Sequence, residues 1–345
     1  MPSLFFAKKV FRLLLILILL IGVFFSGIYV RHNEEIWQKV RKPFKKIYHW
    51  KNAFTTARWG DEFKVITIKT DKKEAEKAYF YSSTFQKKRP LLVSLHTWSG
   101  DFSEYDALAA LAQKYNINYI HPDFKGANTT PQACCSDEVI QAIDDAIDFA
   151  VKNSNVDTNK IYITGASGGG YATLCMLMKS KHPISKFSAW VPVTDLEAWY
   201  RENKINKGNF ANDILLCTNS GEEINLQKAV KRSPLYWPSS SPNIKNAQIY
   251  LYAGIYDGIT GSVPITHTIN FYNKLLKDQE VELSSAYVSD KEKAHLLEKR
   301  TKVMNYGSIA DREIFLEKKY QNIHLIIFEG GHEMLAPFNI QNLLE

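Results

Sequence analysis

KIYITGASGGGYATLCMLM, residues 160–178, is the stretch on which the reading of the whole chain turns. An apolar run, Ile161-Tyr162-Ile163, ends in the cluster Gly165-Ala166-Ser167-Gly168-Gly169-Gly170, and a second apolar segment with helical spacing follows. The order is strand, sharp turn, helix, with a serine at the tip. It fits G-x-S-x-G, a nucleophile elbow. Such a serine sits in strained backbone with its hydroxyl exposed, and small neighbours avoid clashes there. The same letters also resemble the glycine turn of a short-chain dehydrogenase. That turn needs a glycine where Tyr171 stands, and it belongs at the first strand of a nucleotide domain. A phosphate loop needs Lys and Ser/Thr after its last glycine, where Tyr171-Ala172 stand instead.

Working outward, the strand and helix of this turn belong to an alternating pattern. Phe63–Lys69 alternates as a strand, with Ala78–Ser82 as its partner. Leu91–Leu95 reads as a short buried strand ending in His96. Helical spacing covers 106–115, 137–152 and 264–277. Further strands are expected at 117–120, 187–191, 248–253 and, last, 323–328. Strands alternating with helices imply an α/β fold, a mostly parallel sheet with helices on both faces. The longer connections 208–242 and 280–307 are expected to form a cap or rim.

In hydrolases with such an elbow the chain order is serine, acid, histidine. A serine hydroxyl needs a histidine to take its proton, and the histidine needs a carboxylate to fix its tautomer. His332, in Glu329-Gly330-Gly331-His332-Glu333-Met334, follows the last strand on a glycine turn. Its competitors are His182, His267, His295 and His324; the last lies inside a strand, and His267 and His295 lie in helix-like segments. Two acids sit at strand carboxyl ends: Asp257, in a short loop flanked by Gly254 and Gly258, and Asp195, which also reads as a helix cap. Asp257, after the penultimate strand, is the preferred acid. For an oxyanion hole, one N–H is expected from Gly168 and one from the loop His96-Thr97-Trp98-Ser99-Gly100, with Trp98 ahead of Thr97.

These four pieces together resemble the α/β-hydrolase superfamily, and most nearly the catalytic domain of prolyl-oligopeptidase-type peptidases and related esterases. The resemblance covers residues 62–340. It implies a Ser167–Asp257–His332 triad that works through an acyl-enzyme on an ester or small peptide bond. Thr97 stands where many members have glycine. The 60 residues before the domain are too few for the β-propeller by which oligopeptidases sieve peptides, so ester or small-peptide work is favoured. Two other functions compete. A nicotinamide-dependent oxidoreductase would use Tyr287 and Lys291 of a Tyr-x-x-x-Lys match, but Lys274 stands where its serine is expected. A catalytically dead, membrane-tethered binding fold is the third reading.

Composition bounds the rest. The chain has 345 residues, 45% hydrophobic and 13% aromatic, a globular balance. Residues 1–60 hold eleven Lys/Arg against Glu34 and Glu35, a balance of +9, so the rest of this +7 chain carries −2. The basic character is therefore N-terminal, and no nucleic-acid motif accompanies it. Leu13–Val30 is 18 residues without a charge, preceded by Lys8, Lys9 and Arg12, and is long enough to span a membrane. The expected layout is a membrane anchor over 1–32, a basic juxtamembrane segment over 33–60 and a catalytic domain over 61–345. The basic amphipathic segment either lies on anionic headgroups or packs on the domain. The basic start favours an extracytoplasmic catalytic domain, although the positive charges after the span count the other way. Cys134, Cys135, Cys175 and Cys217 are too few for a disulfide scaffold and lack C-x-x-C spacing, and the adjacent Cys134-Cys135 are read as packed or loop thiols rather than a bridge. No metal or cofactor is called for. Trp98, Trp190, Trp199, Tyr200 and Trp237 either line a pocket or fill the core, with core preferred for Trp190.

Overall fold

Residues 59–69 and 75–345 are described by a computed structural model of the chain. The expected anchor, and the expected basic segment except for its last two residues, Trp59 and Gly60, lie outside the described residues. Among the described residues, no helix is long and apolar enough to cross a membrane.

The elements run β1 (Lys64–Lys69), β2 (Ala75–Tyr81), β3 (Arg89–Leu95), α1 (Ala107–Tyr115), β4 (Asn118–Pro122), α2 (Asp137–Asn153), β5 (Val156–Ala166), α3 (Gly168–Lys179), β6 (Lys186–Trp190), α4 (Leu196–Ile205), α5 (Phe210–Thr218), α6 (Leu226–Val230), α7 (Pro242–Asn246), β7 (Gln248–Gly254), α8 (Ile265–Asp278), α9 (Asp290–Glu298), β8 (Ser308–Ile309), β9 (Arg312–Tyr320), β10 (Ile323–Phe328) and α10 (Ala336–Leu344). The strands form one sheet in the order β1-β2-β4-β3-β5-β6-β7-β10-β9-β8. The six from β4 to β10 are mutually parallel, and antiparallel strands close both edges. The expected pairing of the first two strands is present, with Lys64 opposite Phe80.

Local chemistry explains most boundaries. α2 buries Val139, Ile140, Ile143 and Ile147 at three- and four-residue spacing. Its start is set by the Ser136 hydroxyl, which accepts from the Val139 N–H at 3.1 Å. Asp106 caps α1 in the same way, accepting from the Leu108 N–H at 2.9 Å. α3 is different: residues 168–178 are buried all round, so its sequence is apolar or small throughout rather than striped.

Three features differ from the sequence reading. β9 lies before the last strand, and its REIFLEKKY alternates too weakly for a strand signal because its outer half faces solvent. α10 follows Leu335 and buries Asn339, Ile340 and Leu343, the two aliphatics joining the cluster that holds Leu108 and Ala112 of α1. The third is a correction: the cysteines are not thiols. Cys134 is bonded to Cys217 and Cys135 to Cys175. The partners lie 83 and 40 residues away, beyond any local pattern.

Candidate active site

Parallel neighbours end on one edge of the sheet, so the loops after β3, β5, β7 and β10 gather there. They carry the oxyanion candidates, Ser167, Asp257 and His332 respectively.

The β5–α3 turn is strained. Ser167 has φ 58° and ψ −117°, and its side chain makes no capping bond. Positive φ in a non-glycine residue costs on the order of 1–3 kcal/mol and persists only when the surroundings enforce it. Here the Ser167 N–H donates to the Trp190 carbonyl at 2.9 Å, and its carbonyl accepts from the Tyr171 N–H at 2.8 Å. Gly165 is required by close approach: a Cβ there would stand 2.4 Å from the Gly169 carbonyl carbon.

Gly168 faces the loop after β3. A Cβ on it would lie 2.3 Å from the Trp98 amide nitrogen. The Gly168 amide, first in α3, is among those without an intrahelical acceptor. The Trp98 amide donates to no protein acceptor among the described residues. Thr97, the second candidate, is committed elsewhere: its N–H and its hydroxyl each donate to the Glu104 carboxylate at 2.8 Å. The hydroxyl bond is one that a glycine at this position could not make.

His332 and Asp257 meet. His332 Nδ1 lies 2.8 Å from Asp257 Oδ2. The other carboxylate oxygen accepts from the Gly258 and Val263 amides at 2.9 and 3.1 Å. Asp257 is 4% exposed, so water cannot compete for these bonds. The two loops are joined along their backbones, with Tyr256 N–H donating to Gly330 O at 2.9 Å. Asp195 is a cap: its Oδ1 accepts from the Glu197 and Ala198 amides at 3.0 and 3.2 Å, and its Oδ2 from the Tyr236 hydroxyl at 2.7 Å. The other histidines are engaged away from Asp257. His182 lies against Asp144 O, His267 against Glu202, His295 against Thr301, and His324 inside β10. Tyr287 is bonded within its own loop, to Val281 O at 2.8 Å.

Of the aromatics, Trp98 and Trp199 meet edge to face at 4.7 Å, and Trp199 stacks on Phe210 at 4.9 Å. Thus α4, just before the expected cap region, and α5, inside it, cover the oxyanion loop. Trp190 is core, stacked on Tyr252 at 4.0 Å.

Beneath the site lies a buried network that sequence reasoning missed. Asn339 of α10 is 0% exposed. Its Nδ2 donates to Thr164 Oγ1 at 2.9 Å, and its Oδ1 accepts from Ser188 Oγ at 2.7 Å. The amide joins the helix after the His332 loop to both strands that hold the elbow. Asn339→Leu should destabilise the fold by about 1–3 kcal/mol, because the Ser188 hydroxyl is left buried without an acceptor. Chemical denaturation of the two proteins measures this; equal stability would contradict the network's role.

His96 and His121 are buried and neutral. Burial pushes His96 down to about 3 and lowers His121 as well. The His96 ring stacks on Phe124 at 3.7 Å, with Nδ1 2.9 Å from the Thr97 carbonyl. An unfolded imidazole titrates near 6.5. Below that pH the unfolded chain binds protons that the folded chain refuses, so stability falls as pH drops. The slope should approach about 1.4 kcal/mol per pH unit from His96, with His121 adding in the same direction. The urea midpoint should therefore decline from about pH 7 to about pH 5.5, less steeply in His121→Leu. A level midpoint in the unsubstituted protein would count against this.

Residues 135–322, more than half of the chain, match the prolyl oligopeptidase family, a span that holds Ser167 and Asp257 and stops short of His332. No curated protein matches. Solved structures share the fold. An acylaminoacyl peptidase from Pyrococcus horikoshii is 17% identical with a TM-score of 0.51, over 66% of this chain and 37% of that one. An acylaminoacyl peptidase in complex with Z-Gly-Gly-Phe-chloromethyl ketone is 18% identical with a TM-score of 0.52, over 63% and 35%. A puromycin-hydrolyzing peptidase from Mycobacterium tuberculosis is 15% identical with a TM-score of 0.53, over 81% and 37%. The match thus spans little more than a third of the length of each of these structures.

Proposed function

This chain belongs to the prolyl oligopeptidase family, and we propose that it is a serine hydrolase that cleaves an ester or small peptide bond with Ser167, His332 and Asp257. The observation that carries this reading is the His332–Asp257 pair at 2.8 Å, on loops that share a sheet edge with the strained Ser167 turn. In the proposed reaction His332 Nε2 takes the Ser167 proton as Oγ attacks the carbonyl carbon. The oxyanion is held by the Gly168 and Trp98 amides. His332 then protonates the leaving amine or alcohol, and the acyl-enzyme forms. A water, deprotonated by the same imidazole, attacks the ester, and Ser167 recovers its proton as the acid departs. Family membership supports peptide substrates.

We also propose that the domain works outside the cytoplasm beside a membrane, tethered by Leu13–Val30. Two cystines support an oxidising compartment. A reporter fused to the carboxyl terminus should be active only outside the cytoplasm, and cytoplasmic activity would overturn this.

The decisive assay is a panel of dipeptide amides, short nitrophenyl esters and acetylated sugars. At least one class should be turned over, with activity blocked by a fluorophosphonate. A folded protein that hydrolyses none and takes no probe would sink the reading.

A further inference from the structure

The adjacent Cys134 and Cys135 do not serve one bridge. They reach different helices, Cys134 to Cys217 on α5 and Cys135 to Cys175 on α3. Both residues have positive φ, 50° and 51°, so this corner is held against its own backbone preference. Arg232 helps to hold it, donating to Pro131 O and Ala133 O, each at 2.7 Å, and to Cys134 O at 3.2 Å.

The corner leads to the proposed oxyanion hole through one side chain. The Cys134 N–H donates to Asn128 Oδ1 at 2.7 Å. Asn128, 2% exposed, donates twice to the Trp98 carbonyl, from its backbone N at 2.9 Å and from Nδ2 at 3.2 Å. Trp98 is the residue whose amide packs against Gly168. A second path runs from the Trp98 ring through Trp199 and Phe210 to α5, and Cys217 of α5 returns it to Cys134. The ring of contacts is closed around Trp98. Meanwhile Cys135 fastens the same corner to α3, the helix that begins at Gly168.

We infer that Asn128 is a positioning residue for Trp98: by holding its carbonyl, in the Trp98–Ser99 peptide, it fixes the residue whose N–H is aimed at the oxyanion, with the two cystines as the fixture that holds it. The inference rests on the proposed oxyanion role of Trp98. Amide direction matters because oxyanion donors act only when aimed at the developing charge. An error of about 1 Å there can cost on the order of 100-fold.

The test compares Asn128→Asp with Asn128→Ala, using a nitrophenyl ester that the unsubstituted protein hydrolyses. Aspartate keeps the acceptor for the Cys134 amide but loses the Nδ2 donor to Trp98 O. If Asn128 served only its own loop, aspartate would preserve activity. Positioning predicts instead that both variants lose about 10- to 100-fold in kcat, with KM changed less than about threefold. Full kcat in a folded Asn128→Asp overturns the inference. A fixture role for the cystines is read separately in Cys134→Ser/Cys217→Ser, and after reduction and alkylation. In that reduction a dithiol closes to its own disulfide and passes two electrons and two protons to the protein's S–S bond, giving two thiols. Reduced protein that stays folded should lose kcat in the same range, and undiminished kcat overturns that half; if Asn128→Asp does not fold, full kcat in a folded Asn128→Ala overturns the Asn128 half. An unsubstituted protein that takes no fluorophosphonate removes the parent reading and this inference with it. Loss of labelling in Ser167→Ala alongside full activity in Asn128→Asp defeats only the inference.

Discussion

Ser167→Ala is expected to abolish fluorophosphonate labelling and to lower kcat by about 10⁴-fold or more, with KM little changed. The expectation follows from where the side chain stands. The Ser167 hydroxyl makes no capping bond, so its loss should leave the fold intact. The strain of the turn is backbone strain, enforced by the Trp190 carbonyl and the Tyr171 amide, and alanine inherits both bonds unchanged. The glycine contacts around it also remain. What disappears is the proposed nucleophile, for which an elbow of this shape has no substitute. Thermal unfolding of the variant should match the unsubstituted protein, and labelling at an undiminished rate would remove Ser167 from the mechanism.

How much of this was legible beforehand depends on the reach of each signal. The elbow and the His332 loop announce themselves locally, as glycines crowded against an apolar run of strand character. Asp257 and Asp195 look alike in sequence, since both follow a strand; only the fold reveals that both oxygens of Asp195 are already engaged. Trp98 could be ranked above Thr97, but the reason, Glu104 reaching back to the Thr97 amide, is a contact across a turn. The cystines were misread because pairing depends on α3 and α5 converging on one corner. Asn128 and Asn339 were invisible for a related reason. Asparagine is mostly a surface or turn residue, and nothing in its neighbours marks the rare one that is buried and fully bonded.

Asp257→Asn is the substitution whose outcome the geometry fixes most sharply. Asp257 Oδ1 accepts two amides, from Gly258 and Val263, and Oδ2 faces His332 Nδ1. In an asparagine only the carbonyl oxygen can accept those two N–H groups. The NH₂ must therefore point at His332, where it donates. A donor opposite Nδ1 forces the imidazole proton onto Nε2, the nitrogen that has to receive the serine proton. The base is then present, oriented and of almost unchanged shape, but in the wrong tautomer. The expected loss in kcat is about 10⁴-fold, with KM within a few-fold of normal. Stability should change little, since each bond has a counterpart. The comparison with Asp257→Ala sharpens the test. Alanine removes the acceptor from two buried amides and should cost about 1–3 kcal/mol per unsatisfied group. If Asp257→Asn instead keeps most of its activity, neither the charge of Asp257 nor its control of the His332 tautomer is needed, and the tautomer argument fails.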